Sequence, residues 1–258
     1  MITRLPRIGI DQLQKGDVLL SRGRGPVAFS IRFLYGTSYT HAALWTGDVV
    51  IESEPFFVKA RPLHESINER ERAFVDVYRW RPDAVDRPDL DPVVEAALAY
   101  RDAPYAISDM MVLFFVAVKA KSYWSPNRSA FRAQLPEFAA AVRAYEALGG
   151  KVGITCAELV IRAFQEADRA NGRFALRLDH LPSEYVGLAA SEVPSPAFHL
   201  LTAEDLHKSP SLVPIGRLDL PKHIRSYENP KLSLSQLTRE IAKRNAAFKA
   251  RTQDKLQG

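Results

Sequence analysis

The stretch "THAALWTGDVVIESE", residues 40–54, decides the architecture of this chain. His41 opens an apolar run, and Gly47-Asp48 supplies a hairpin turn that returns the chain into "VVIESE". Pairing Thr46 with Val49 sets Ala43 opposite Glu52 and His41 opposite Glu54. Cross-strand partners share a face of a sheet, as do residues two apart along a strand, so His41, Glu52 and Glu54 point to the same side. Directly opposed Cβ atoms lie about 5 Å apart and diagonal ones about 7–8 Å, so either glutamate is within reach of the imidazole and the spacing does not choose between them.

Around this hairpin the first part of the chain reads as strands. "GDVLLSR" (16–22) follows a turn, "AFVDVYRW" (73–80) alternates, and "PVAFSIRFLYG" (26–36) reads as a helix opened by Pro26 and closed by Gly36. From about residue 91 the character changes to helix: "DPVVEAALAYRD", "SDMMVLFFVAVKAK", "SAFRAQLPEFAAAVRAYEAL", then "GITCAELVIRAF" (153–164). "LVPIGRLDL" (212–220) reads as one returning strand. Strands first and helices second predict an α+β fold with an antiparallel sheet packed against helices. The end of the chain carries Leu234, Leu237, Ile241 and Phe248 at helical spacing among Lys and Arg, an amphipathic tail that packs on the body, with peripheral membrane contact as the alternative.

Composition narrows the classes. A chain of 258 residues with 47% hydrophobic residues can bury a sizeable core. Its net charge of +5 comes from 35 basic against 30 acidic residues without a single-sign block, and the aromatic-plus-basic spacing of RNA-binding modules is absent, so no nucleic acid partner is expected. The amino terminus lacks the apolar core of a secretory signal, and "MMVLFFVAV" (110–118) is about half the roughly 20 residues of a membrane span. The default expectation is a cytoplasmic protein, with a dedicated secretion route as the exception.

The one cysteine, Cys156, excludes an intrachain disulfide and a multi-cysteine metal cage. Thr155 followed three residues later by Glu158 is a capping-box pattern, which makes Thr155 the N-cap and Cys156 the first helical residue. A thiol there lies near backbone N–H groups and the positive end of the helix dipole, which favour the thiolate and can hold an oxyanion. The competing reading is a small buried hydrophobe. A cysteine nucleophile needs a histidine base and a group to orient it. His64, His180, His199, His207 and His223 fall in helix starts, loops or Pro-flanked turns, whereas His41 alone heads an apolar strand with acids on its face.

A strand opening with His ("YTHAALW"), a following strand with Glu ("VVIESEP") and a helix-capping Cys far downstream ("GITCAELVIRAF") together resemble the circularly permuted branch of the NlpC-like, papain-like cysteine hydrolases, the YiiX/YaeF-like group in particular. "LQKGDVLLSRG", "FFVKARPLHESI" and "LTAEDLHKSPSLVPIGRL" are similar to flanking family segments, and "RDAPYAISDM" resembles the family's G-x-P-Y-D turn, with Ala106 where aspartate is common. The resemblance touches segments from about residue 13 to 219.

It implies a permuted papain-like catalytic domain over 1–228, with a helical insert at about 119–150 and the tail at 229–258. It also implies Cys156 as nucleophile, His41 as general base and Glu52 as its orienting partner, with Glu54 as the alternative. Tyr39 and Tyr105 are expected to contact substrate. No metal or organic cofactor is implied. The substrate class is a peptide, other amide or ester. Relatives of the lecithin:retinol acyltransferase type use the same thiol chemistry on acyl chains, so a lipid acyl hydrolase or acyltransferase is the alternative. A non-catalytic ligand-binding module on the same scaffold is the alternative of another class.

Overall fold

The computed structural model describes residues 5–24, 28, 32, 37–54, 57–67, 72–80, 89–103, 153–167, 173–178 and 201–219. Its elements are β1 (Arg7–Ile8), β2 (Val18–Gly23), β3 (His41–Trp45), β4 (Val50–Glu54), β5 (Phe57–Arg61), α1 (Leu63–Ser66), β6 (Arg72–Trp80), α2 (Asp91–Ala99), α3 (Cys156–Glu166), α4 (Ala203–Lys208) and β7 (Leu212–Leu218). The helix expected over 26–36, apart from residues 28 and 32, lies outside the described residues. So do the apolar run at 110–118, the insert at 119–150, Tyr105 and the tail at 229–258.

The β3–β4 hairpin closes where a glycine is needed. Gly47 has φ 102°, a backbone that L side chains rarely adopt. Thr46 N–H donates to the Val49 carbonyl at 2.9 Å, and Thr46 Oγ1 accepts from Val49 N–H at 3.0 Å. The register that follows pairs Ala43 with Glu52, Leu44 with Ile51 and Trp45 with Val50, as the sequence predicts.

The fold is mixed α+β, built on a seven-stranded sheet in the order β1-β7-β6-β2-β3-β4-β5. The sheet is not purely antiparallel, which corrects the expectation from sequence. β1 runs parallel to β7, a pairing that strands from opposite ends of the described chain can make and strands joined by a tight hairpin cannot. The remaining pairings are antiparallel.

Strand alternation divides the apolar side chains between two cores. Val18, Leu20, Ala42, Leu44 and Ile51 face α3, which contributes Ala157, Leu159, Val160, Ile161 and Phe164. Leu19, Ala43, Val50, Val75 and Val77 face the other way, where Leu63 and Ile67 around α1 cover them. α3 therefore lies between the sheet and α2 and has buried residues on nearly every side. By the same alternation His41 and Glu52 belong to the face opposite the body of α3.

Candidate active site

The helix that carries Cys156 begins where the capping box places it. Thr155 Oγ1 accepts from Glu158 N–H at 3.1 Å, and Glu158 Oε2 accepts from Thr155 N–H at 3.2 Å. Arg162 Nε donates to Glu158 Oε1 at 2.8 Å, so both oxygens of this buried carboxylate are used. The segment before the cap is tied to the glutamate strand, with Ser53 Oγ donating to the Ile154 carbonyl at 2.7 Å.

The β3–β4 ladder pairs residues as far as Ala43 and Glu52, and there the start of α3 comes in against β3. His41 and the backbone N–H groups of Ala42 and Ala157 stand close enough to the Cys156 thiol to favour its thiolate. Cys156 is half-buried.

His41 Nε2 lies 2.6 Å from Glu52 Oε2. The structure thus brings Cys156, His41 and Glu52 together. Glu52 is 0% exposed and is also held by two cations. Arg61 Nε donates to its Oε1 at 2.7 Å, and an Arg72 terminal nitrogen donates to its Oε2 at 3.2 Å.

The choice left open by sequence is made here: Glu54 does not bond the imidazole. It accepts from the Arg61 guanidinium and from Lys59 Nζ, the latter at 3.3 Å. Although Glu54 continues the register of Glu52 along β4, β5 brings basic side chains to that end of the face. Glu52↔Lys59 and Val50↔Arg61 are cross-strand partners, so Lys59 and Arg61 share the face of the two glutamates.

The electrostatics follow from these contacts. Burial pushes the Cys156 thiol up, but the hydrogen bond and charge of His41, with the amides of Ala42 and Ala157, outweigh it and hold the thiol below its ordinary value. Burial and the Arg72 charge pull His41 down, yet its bonds to Cys156 and Glu52 leave the imidazole above its usual 6.5. Burial raises Glu52, while His41, Arg72 and Arg61 together hold it well below the usual carboxylate range. The thiol is thus shifted down and the imidazole up, the directions in which each group favours the charge of the other.

Tyr39, expected at a substrate surface, is a core residue. It is 1% exposed, its hydroxyl donates to Asp76 Oδ2 at 2.8 Å and lies 3.0 Å from the Tyr78 hydroxyl, and its ring meets Phe74 edge-on. Tyr39 precedes the first residue of β3, so strand alternation does not carry from His41 back to it. Its side chain turns into the core beneath α3 and α4 while His41 emerges on the other face.

Of the remaining histidines within the described residues, His64 lies on α1, and His207 on α4 has Nδ1 2.7 Å from the Tyr78 hydroxyl. Sequence reading missed Arg61 and Arg72. Arg61 was reachable from the alternation in "FVKAR", whereas Arg72 approaches from β6 with no local signal. Among the described residues no group of His, Cys, Asp and Glu could hold a metal ion, and no helix is long and apolar enough to cross a membrane.

No family model and no curated protein matches the chain.

Proposed function

We propose that the chain is a cysteine hydrolase of the circularly permuted, papain-like NlpC type, cleaving an amide or ester through a thioester on Cys156. The observation that carries this reading is the His41 ring held at 2.6 Å by a buried Glu52 beside a thiol on the first residue of a capped helix. Chain order supports the permuted form: here base and acid precede the nucleophile, and triads are defined by geometry rather than order.

In this reading the Cys156 thiolate attacks the substrate carbonyl and forms an S–C bond. Backbone N–H groups at the first turn of α3 stabilise the charge that develops on the carbonyl oxygen. The His41 imidazolium gives its proton to the leaving amine or alcohol as the C–N or C–O bond breaks. The imidazole then takes a proton from water, whose oxygen attacks the thioester, and the acid product leaves as the thiolate returns. Glu52 stays ionised throughout and fixes the ring.

The test is turnover of p-nitrophenyl acetate, with the thioester trapped by acid quench and detected by mass. The wild-type chain is expected to gain one acetyl group on Cys156. Cys156→Ala is expected to gain none and to lose turnover while keeping its circular dichroism. Undiminished turnover in Cys156→Ala would overturn the reading, and a folded wild type that never acylates would favour the non-catalytic binding module.

A further inference from the structure

Glu52 is over-supplied with cations for a residue that only orients a histidine. It takes His41 Nε2 at 2.6 Å, Arg61 Nε at 2.7 Å and an Arg72 terminal nitrogen at 3.2 Å, with no exposure to solvent. Each guanidinium is anchored elsewhere as well. Arg61 reaches Glu54, and Arg72 Nε donates to the Ser66 carbonyl at the end of α1, at 3.3 Å. One carboxylate thus joins β4, β5, β6 and α1 at the point where it meets the imidazole.

We propose that Arg61 and Arg72 form a guanidinium clamp that acts on the reaction through Glu52, as positioning residues that keep this carboxylate ionised and unable to take the proton of His41. Glu54, which continues the glutamate strand without touching the imidazole, serves this clamp by holding Arg61. The inference rests on the hydrolase reading for its purpose and on the contacts above for its geometry.

The physical argument is a comparison of charges. A buried carboxylate facing only an imidazolium is a strong enough proton acceptor to draw the proton off Nε2 and become neutral, because both ions are costly away from water. Two guanidiniums, always protonated, supply lasting positive charge whatever the state of His41. They make protonation of Glu52 unfavourable, and Arg72 in addition opposes the positive charge on His41. The base is then strong enough to hold a proton beside the thiolate, yet weak enough to release it to a leaving group. Among the described residues, the charged or titratable groups facing the imidazole are Cys156 from α3, Glu52 from β4 and Arg72 from β6, with Arg61 and Lys59 of β5 and Glu54 of β4 behind Glu52.

The test follows the side-chain carboxyl carbon of Glu52 by NMR titration in the full chain, in wild type, Arg72→Gln and Arg72→Lys, alongside thermal unfolding. Arg72→Gln is expected to raise the Glu52 midpoint by about one pH unit, the size of effect one close charge exerts. Arg72→Lys, which keeps the charge and loses the fork, is expected to fall between the two. Should Arg72→Gln not accumulate as folded protein, Arg61→Gln carries the same test, with a smaller upward shift expected.

A Glu52 midpoint identical to wild type in a folded Arg72→Gln or Arg61→Gln variant overturns the clamp, since a purely structural strut would change the unfolding temperature alone. The two readings fail separately. A wild type that never acylates removes the hydrolase while the titration still decides the clamp, and a flat titration in an active enzyme removes the clamp alone.

Discussion

At the scale of single residues, the reactivity of Cys156 depends on which of two opposed effects is larger. Burial disfavours the thiolate, and His41 with two backbone amides favours it by more. His41→Ala removes the larger share of the favourable side and leaves the burial and the two amides, so the thiol is expected to titrate higher than in wild type. Measured as the pH dependence of iodoacetamide alkylation, the midpoint should lie below 9.0 in wild type and rise by at least about one unit in His41→Ala. Coincident profiles would separate the two residues.

The same reasoning distinguishes the two glutamates. Glu52→Gln removes the charged acceptor on His41 and takes a counter-charge from the buried Arg72 and the half-buried Arg61, so it should lower kcat by about 10²–10⁴-fold and destabilise the fold by about 3–5 kcal/mol. Glu54→Gln, which touches only Arg61, Lys59 and the fringe of Arg72, should cost less than about tenfold in kcat. Equal losses from the two variants, in turnover and urea unfolding, would contradict the assignment of Glu52. The sign of its pH linkage is also fixed. A carboxylate held below its usual value of 4.5 contributes stability that is present above that pH and is lost as pH falls through its lowered folded value. Acid unfolding of wild type should show this loss, and Glu52→Gln should not.

At the scale of elements, the start of α3 bears on stability and on the proposed chemistry. Thr155→Ala deletes the acceptor for Glu158 N–H and should cost about 1 kcal/mol in urea unfolding. If the cap also fixes where Cys156 stands, alkylation of the thiol should slow in the still-folded variant. Unchanged alkylation would show that the tie between Ser53 and Ile154 is enough to place the sulfur. The hairpin is the second element that decides the site. The Gly47 turn fixes the register, and a slip of one residue would send Glu52 into the core beneath α3 and bring Ile51 to the face of His41.

At the scale of the whole molecule, a second buried polar network braces the sheet from the far side. Asp76 is 0% exposed, accepts from Arg217 at 2.6 and 2.9 Å and takes the Tyr39 hydroxyl, which joins β6, β7 and the segment leading into β3. Arg217 also lies 4.0 Å over the ring of Phe74. Glu204 of α4 holds the same leading segment, accepting from Thr37 Oγ1 at 2.8 Å and from Ser38 N–H at 3.0 Å. Asp76→Asn, which leaves Arg217 without a counter-charge, should therefore destabilise the fold by about 3–5 kcal/mol in urea. A loss under about 1 kcal/mol would show the network to be dispensable.

The sequence by itself determined what is local. The capping box from Thr155 to Glu158, the Gly47-Asp48 turn and the β3–β4 register are each set by side chains within a few positions of one another, and pleat alternation then puts His41 and Glu52 on one face whatever the rest of the chain does. What only the tertiary structure decided is what crosses elements. Its contacts selected Glu52 over Glu54, because basic side chains on β5 and β6 arrive from strands whose neighbours no local pattern specifies. They also turned Tyr39 inward, because it stands just before the strand whose alternation seemed to govern it. The parallel pairing of β1 with β7 joins opposite ends of the described chain, and chain separation of that kind is settled by long-range burial and hydrogen bonding rather than by local preference.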